Sequence, residues 1–283
     1  MKGFNNIGNT CYMNSGLQML IQNTELCNLI IKYSNDSIIL KTIADFINMY
    51  YNDNSTNVLN PSDIKGIVEK RQHIFEGFHQ QDSSEFVIFL LDIIDEEIKK
   101  VTNNSMINKL FGLKMNVRIK CKYRECLNIV NKIETNNFLI LDMEPEFKSL
   151  DDAYRNHRSG VKLETDNMYY CEKCKTKRVA SKRVSIEEWP QHNIVILKRF
   201  KQYGFRFQKL NQPIDIPLEW RHNNMLEGAI IHYGSMNGGH YVYVGKNNNK
   251  WYLYDDSIVS EIKTIEELKV LLTSAYCLYY KNI

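Results

Sequence analysis

Apolar spacing along this chain changes once, after Gly112, and no other feature of the sequence limits its possible folds so tightly. Before that point the spacing is helical. Leu17, Leu20 and Ile21 recur on one face, and Ile39, Ile43, Phe46, Ile47 and Tyr50 predict one more helix within Ile30–Tyr51. Phe86, Phe89, Leu90, Ile93 and Ile94 follow the i, i+3, i+4, i+7, i+8 pattern, with Asp82 as a good N-cap and Glu85 at capping-box spacing. Asn52–Asn57 reads as a polar loop and Asn60-Pro61-Ser62-Asp63 as a turn or helix start, so the chain is mostly helical to about Lys109. Beyond Gly112 the composition is that of strands: Met115–Lys120, Phe138–Asp142, Val179–Ile186, Ile194–Leu197, Ile230–Tyr233 and Tyr241–Val244. Leu150–Leu163 reads as a short helix and a connection, Thr264–Leu272 as a late helix, and Ala275–Tyr280 as a closing strand. Helices first and strands afterwards imply an α+β architecture, not alternating βαβ units.

With 283 residues, 43% of them hydrophobic, the chain can bury a large core without metals or disulfides. Its net charge of +3 is too mild to argue for nucleic acid. The start, Met1–Asn6, holds no apolar run of signal-peptide length, and no stretch is long enough to cross a membrane. Seven cysteines, an odd number without a secretion signal, point to a reducing intracellular compartment, cytoplasm and/or nucleus. Their uses are then packing, metal or catalysis.

Cys11 stands at the first position of the first helix, delivered by a Gly8-Asn9-Thr10 turn that can supply an unusual backbone angle and a cap. A thiol there sits beside unpaired N–H groups and the positive end of the helix dipole, both of which favour thiolate. Alone, such a cysteine is better read as a small packing residue. Its partner comes from Gly238–Asp256, where two aromatic-rich strands flank a Gly/Lys/Asn loop, a hairpin signal. A hairpin symmetric about the Asn247–Asn248 bond sets His240 opposite Asp255, Tyr241 opposite Tyr254 and Val242 opposite Leu253. Cross-strand Cβ atoms lie roughly 4.5–5.5 Å apart, within reach of an imidazole–carboxylate bond. A carboxylate-oriented histidine is half of a triad, and Cys11 is the available nucleophile. Gly238 and Gly239 leave room beside the histidine for an extended substrate.

Cys121 and Cys126, with Cys171 and Cys174, form two close pairs between strand-like segments, which suits a structural four-thiolate zinc site with no open position. A redox C-x-x-C is the rival, though it usually opens a helix in a βαβ setting absent here. Cys27 and Cys277 lie in apolar contexts and read as core.

These residues resemble the ubiquitin-specific proteases, papain-like cysteine peptidases, essentially from end to end. Gly8–Ser15 resembles the family's cysteine box, and Gln80-Gln81-Asp82-Ser83-Ser84-Glu85-Phe86 a second signature. Tyr170–Cys174 is similar to the zinc-finger half and Ile196–Phe200 to a core strand. His232-Tyr233-Gly234 through Gly239-His240-Tyr241, then Trp251–Asp256, resembles the histidine box. The resemblance implies a helical thumb (about 1–110), fingers with part of the palm (about 111–190) and a palm carrying the histidine box (about 191–283). It implies Cys11 as nucleophile, His240 as general base and then acid, Asp255 as orienting residue and Asn6 as oxyanion donor, with Asp256 either assisting there or capping the turn. Asp82 and Glu85, with Gly239 and Tyr241, stand where the substrate tail would pass, and the zinc knuckles would clamp the fingertips. The implied partners are ubiquitin and ubiquitinated proteins, met by a monomer without nucleic acid or membrane. A peptidase for a ubiquitin-like modifier and a catalytically silent ubiquitin-binding module are the alternatives. The family usually spaces the first zinc pair by two residues, and this chain spaces it by four.

Overall fold

The computed structural model describes residues 1–53, 57–203, 206–235 and 238–283, so Asn54–Thr56, the middle of the expected polar loop, lie outside it. The first third is helical: α1 (Cys11–Ile21), α2 (Thr24–Lys32), α3 (Ile38–Asn52), α4 (Ser62–Arg71), α5 (Ser83–Thr102) and α6 (Ile107–Phe111). The helix expected within Ile30–Tyr51 is α3, which holds all five positions that predicted it, whereas α2 was not expected. A 3₁₀ turn at Ser34–Asp36 separates α2 from α3, and the Ser37 hydroxyl accepts the N–H groups of Ile39 and Leu40 to start α3. Asp82 caps α5 as expected, accepting from the N–H groups of Ser84 at 2.7 Å and Glu85 at 3.1 Å.

The strands form two main sheets. The palm sheet runs in the order Ile258–Ile262, Lys250–Asp255, Gly238–Asn247, Asn224–Ser235, Ala275–Asn282, His192–Lys198, Leu139–Asp142, with the short strand Glu219–Trp220 alongside Asn224–Ser235. The fingers sheet runs Ile129–Asn136, Leu113–Cys121, Ala180–Glu188, Val161–Leu163. Its outer strand Ile129–Asn136 escaped the sequence reading because it is exposed along almost its whole length and so has no apolar alternation.

Palm residues alternate between two cores. Ile194, Ile196, Ile230, Tyr243 and Cys277 pack against the thumb helices. Val195, Leu197, Ala229, Ile231 and Leu278 pack on the other face with α7 (Leu150–Ser159) and α8 (Ile265–Leu272). Burial on both faces explains the unbroken apolar run Ile194–Leu197 within the strand His192–Lys198. Buried Arg199 pins this core, donating to the carbonyls of Ala275, Leu210, Gln212 and Thr273 at 2.7–3.1 Å. No helix of the described residues is long and apolar enough to cross a membrane.

Candidate active site

The turn before α1 is built by Asn6. Its Oδ1 accepts the N–H groups of Gly8 at 3.2 Å and Thr10 at 3.0 Å, across a backbone that takes φ +112° at Gly8 and 51° at Asn9. Thr10 does not cap the helix with its side chain; its hydroxyl accepts from the Ile7 N–H instead. α1 is buried along its length and is tied to α5 by Ser83, whose hydroxyl donates to the Tyr12 carbonyl at 2.7 Å. Cys11 therefore begins the helix at only 4% exposure. Burial pushes its thiol above the ordinary value, and the Asp256 carboxylate adds to the rise. The N–H groups of Tyr241, Tyr12 and Cys11 itself pull the other way without winning. The expectation that the helix end alone favours thiolate is corrected accordingly: desolvation of the charged form outweighs it.

Thumb meets palm where the strand Gly238–Asn247 packs against α1, with His240 one residue before Tyr241, whose N–H favours the Cys11 thiolate. His240 Nε2 lies 2.6 Å from Asp255 Oδ1. The hairpin that pairs them is not the one expected. Tyr243 faces Tyr254 and Asn247 faces Lys250, so the turn is Asn248-Asn249, both at positive φ (49° and 61°), one residue further along. Moving the turn by one residue shifts the pairing by two. Continued along the strands, that register sets Asp255 across from Val242, with His240 on the same face as its diagonal neighbour. Strand side chains alternate with period two, so the pair survives an error in register that preserves parity.

The second carboxylate, Asp256, is held by two amides, Asn6 Nδ2 at 2.8 Å and Asn14 Nδ2 at 2.7 Å. Asn14, one turn beyond Cys11, was not singled out in the sequence, although its i+3 spacing from the cysteine places it on the same helix face. Gln80 was quoted only as part of a motif, yet it spans the cleft. Its Nε2 donates to the Gly239 carbonyl at 2.5 Å, its Oε1 accepts the Gly239 N–H at 3.0 Å, and Nε2 stands 3.8 Å from Cys11 Sγ. No hydrogen bond joins Cys11 to His240 among the described residues. Gly239 must be glycine: a Cβ would come within 2.3 Å of His232 Nε2 and 2.4 Å of the Tyr233 carbonyl oxygen.

Two expected substrate contacts sit differently. The Tyr241 ring is buried and stacked on His232 at 4.3 Å, so only its backbone borders the cleft. Asp82 spends Oδ1 on the α5 cap and Oδ2 on the Tyr276 hydroxyl. Glu85 is exposed at the start of α5, its carboxyl pushed up by desolvation and by Asp82.

Far from this cleft, the thiols of Cys121, Cys126, Cys171 and Cys174 lie within 4.8 Å of one another, and all seven cysteines are free. Cys121 and Cys171 are fully buried, and the N–H groups of Cys174 and Lys173 favour the Cys171 thiolate. Four converging thiols with N–H donors to sulfur are a donor set fit for a tetrahedral metal.

A family model described as ubiquitin carboxyl-terminal hydrolase matches residues 2–280. Ubiquitin carboxyl-terminal hydrolase 12 of Salmo salar is 28% identical, the match covering 99% of this chain and 89% of that protein. Two structures of the SAGA DUB module (Ubp8, Sgf11, Sus1 and Sgf73) are similar at TM-scores of 0.83 and 0.80 and 25% identity. Each match covers 99% of this chain and 69% of that one. The first is described as bound to monoubiquitin and the second to ubiquitin aldehyde.

Proposed function

Since the chain belongs to the ubiquitin carboxyl-terminal hydrolase family and is a cysteine-type ubiquitin hydrolase, we propose the following division of labour among its residues. The substrate is ubiquitin joined through its C-terminal glycine to a lysine or an amino terminus. Cys11 Sγ attacks that glycine's carbonyl carbon while His240 takes the thiol proton. His240 turns Nε2 to Asp255, which leaves Nδ1 to face the sulfur and fixes the tautomer. The tetrahedral oxyanion is held by the Asn6 amide, whose second N–H is not needed by Asp256, and by N–H groups at the start of α1. Asp256 and Asn14 hold that amide in place. The C–N bond breaks as His240 passes its proton to the departing amine, leaving a thioester. Water, deprotonated by His240, attacks the thioester and releases ubiquitin and the Cys11 thiol.

One observation carries this reading: the strand that bears His240, paired to Asp255 on its neighbour, packs against α1 and is tied through Gln80 to the Cys11 sulfur. In the resting protein Gln80 occupies both backbone groups of Gly239. An extended substrate tail would take those groups over, freeing Cys11 and His240 to engage. Glu85, exposed at the start of α5 with its carboxyl pushed up by desolvation and by Asp82, would stand beside a basic residue of that tail, which favours its charged form. The four cysteines would hold a structural zinc ion that clamps the fingertips, and seven free thiols suit a reducing compartment.

The test is a ubiquitin bearing a C-terminal electrophile, run beside the equivalent probes of ubiquitin-like modifiers. Adduct at Cys11 with the ubiquitin probe is expected. Cys11→Ala and His240→Ala should abolish turnover while ubiquitin binding largely survives. Full turnover in either variant, or labelling by a modifier probe alone, would overturn the assignment.

A further inference from the structure

The fingers sheet has two unlike faces. One carries Met115, Val117 and Val184 toward Ile88 and Asp92 of α5, the helix that starts at the catalytic cleft. The opposite face is cationic. Register sets Arg118 directly across from Arg183 and Lys120 across from Ser181, with Lys162 the next neighbour of Ser181. With Lys122 and the Ser159–Gly160 turn, they border a groove of about 520 Å³, lined by ten residues of which six are lysine or arginine and none is acidic.

Little compensates this charge. Lys162 pairs with Glu164 at 2.5 Å. The side chains of Arg118, Lys120, Lys122 and Arg183 form no ion pair among the described residues. Like charges directly opposed on neighbouring strands destabilise a sheet, so the Arg118–Arg183 pairing works against the fold unless an anion joins it. A whole-chain charge of only +3 makes the concentration of positive charge on this face a local property.

What kind of anion fits is decided by the flank. Ile129 pairs with Lys120 and Ile133 with Asn116, which puts both isoleucines on the cationic face, 41% and 58% exposed. No aromatic residue lines the groove, so it offers no platform on which bases could stack. A cationic groove beside exposed aliphatic side chains complements carboxylates beside aliphatic side chains.

We propose that this face of the fingers is a docking surface for an acidic polypeptide segment. Its carboxylates bridge Arg118 and Arg183, and its apolar residues cover Ile129 and Ile133. Because the face points away from the α5 side of the sheet, a partner held here leaves the cleft open. Docking would then select or recruit without blocking cleavage.

The experiment measures fluorescence anisotropy with the full, metal-loaded chain and three labelled probes: a peptide of alternating glutamate and leucine, a glutamate–serine peptide of equal charge, and a single-stranded RNA. The glutamate–leucine peptide is expected to bind best. An Arg118→Gln/Arg183→Gln double variant should weaken it about tenfold or more. Ile129→Ser/Ile133→Ser should remove its advantage over the glutamate–serine peptide. Cleavage of a fluorogenic ubiquitin substrate should stay within about twofold of the parent in all variants, which separates lost docking from lost folding. No binding of the peptide, binding unchanged by the arginine variants, or preference for RNA would each overturn the proposal.

Discussion

At Cys11 a helix end and a desolvated site compete for one proton. Fixed partial charges at a helix terminus stabilise an anion by roughly 0.3–1 kcal/mol at exposed positions, whereas burial can move a group by several pKa units. The sequence displays the helix end openly, through Gly8, Asn9 and the apolar spacing after Cys11. It does not display the palm strand that covers the sulfur, because that strand is contributed from more than two hundred residues away. Separation in sequence also hides Gln80, whose partners, Gly239 and Cys11, lie 159 and 69 residues away. Alkylation of the free enzyme at Cys11 by iodoacetamide should therefore be slow at neutral pH and rise with a midpoint above the ordinary thiol value. The sign follows from the raised thiol: the folded protein holds the proton that a free cysteine would already have lost. Asp256→Asn removes one cause of the rise and should lower that midpoint. Fast alkylation at neutral pH with a low midpoint would contradict this account.

Among the elements, the hairpin Gly238–Asp255 shows what a sequence can and cannot specify. Aromatic alternation on both arms made the strands plain, and the face shared by His240 and Asp255 followed from parity. The position of the turn did not, since Lys246-Asn247-Asn248-Asn249 offers several residues tolerant of positive φ and only the packed sheet selects Asn248-Asn249. α2 went unread for a different reason. It is only nine residues long, and the four polar residues Ser34–Ser37 that part it from α3 read equally well as the end of a loop. If the turn is of the two-residue type with both residues left-handed, glycine should be preferred at its second position. Asn249→Gly should raise stability by about 0.5 kcal/mol, and Asn249→Val should lower it by about 1–2 kcal/mol, read from chemical denaturation. Equal stability of the two variants would place the turn elsewhere.

For the whole molecule, catalysis and fingers are mechanically separate. The four thiols gather at the end of the fingers strand Leu113–Cys121, while Cys11, His240 and Asp255 sit where α1 meets the palm. Metal analysis should find one zinc ion per chain. Its removal by a chelator should speed hydrogen exchange in Leu113–Cys121 and Ala180–Glu188 while leaving Cys11 alkylation unchanged. Exchange untouched by the chelator would deny the ion a structural role. The order of strands in the palm carries a further consequence. Ala275–Asn282, the last strand, lies in the interior of the sheet between Asn224–Ser235 and His192–Lys198. On a ribosome Cys11 emerges more than two hundred residues before His240, and when His240 appears the sheet that brings them together still lacks its middle strand. A nascent chain thus carries Cys11 without its palm partners until the strand Ala275–Asn282 is drawn into the middle of the sheet.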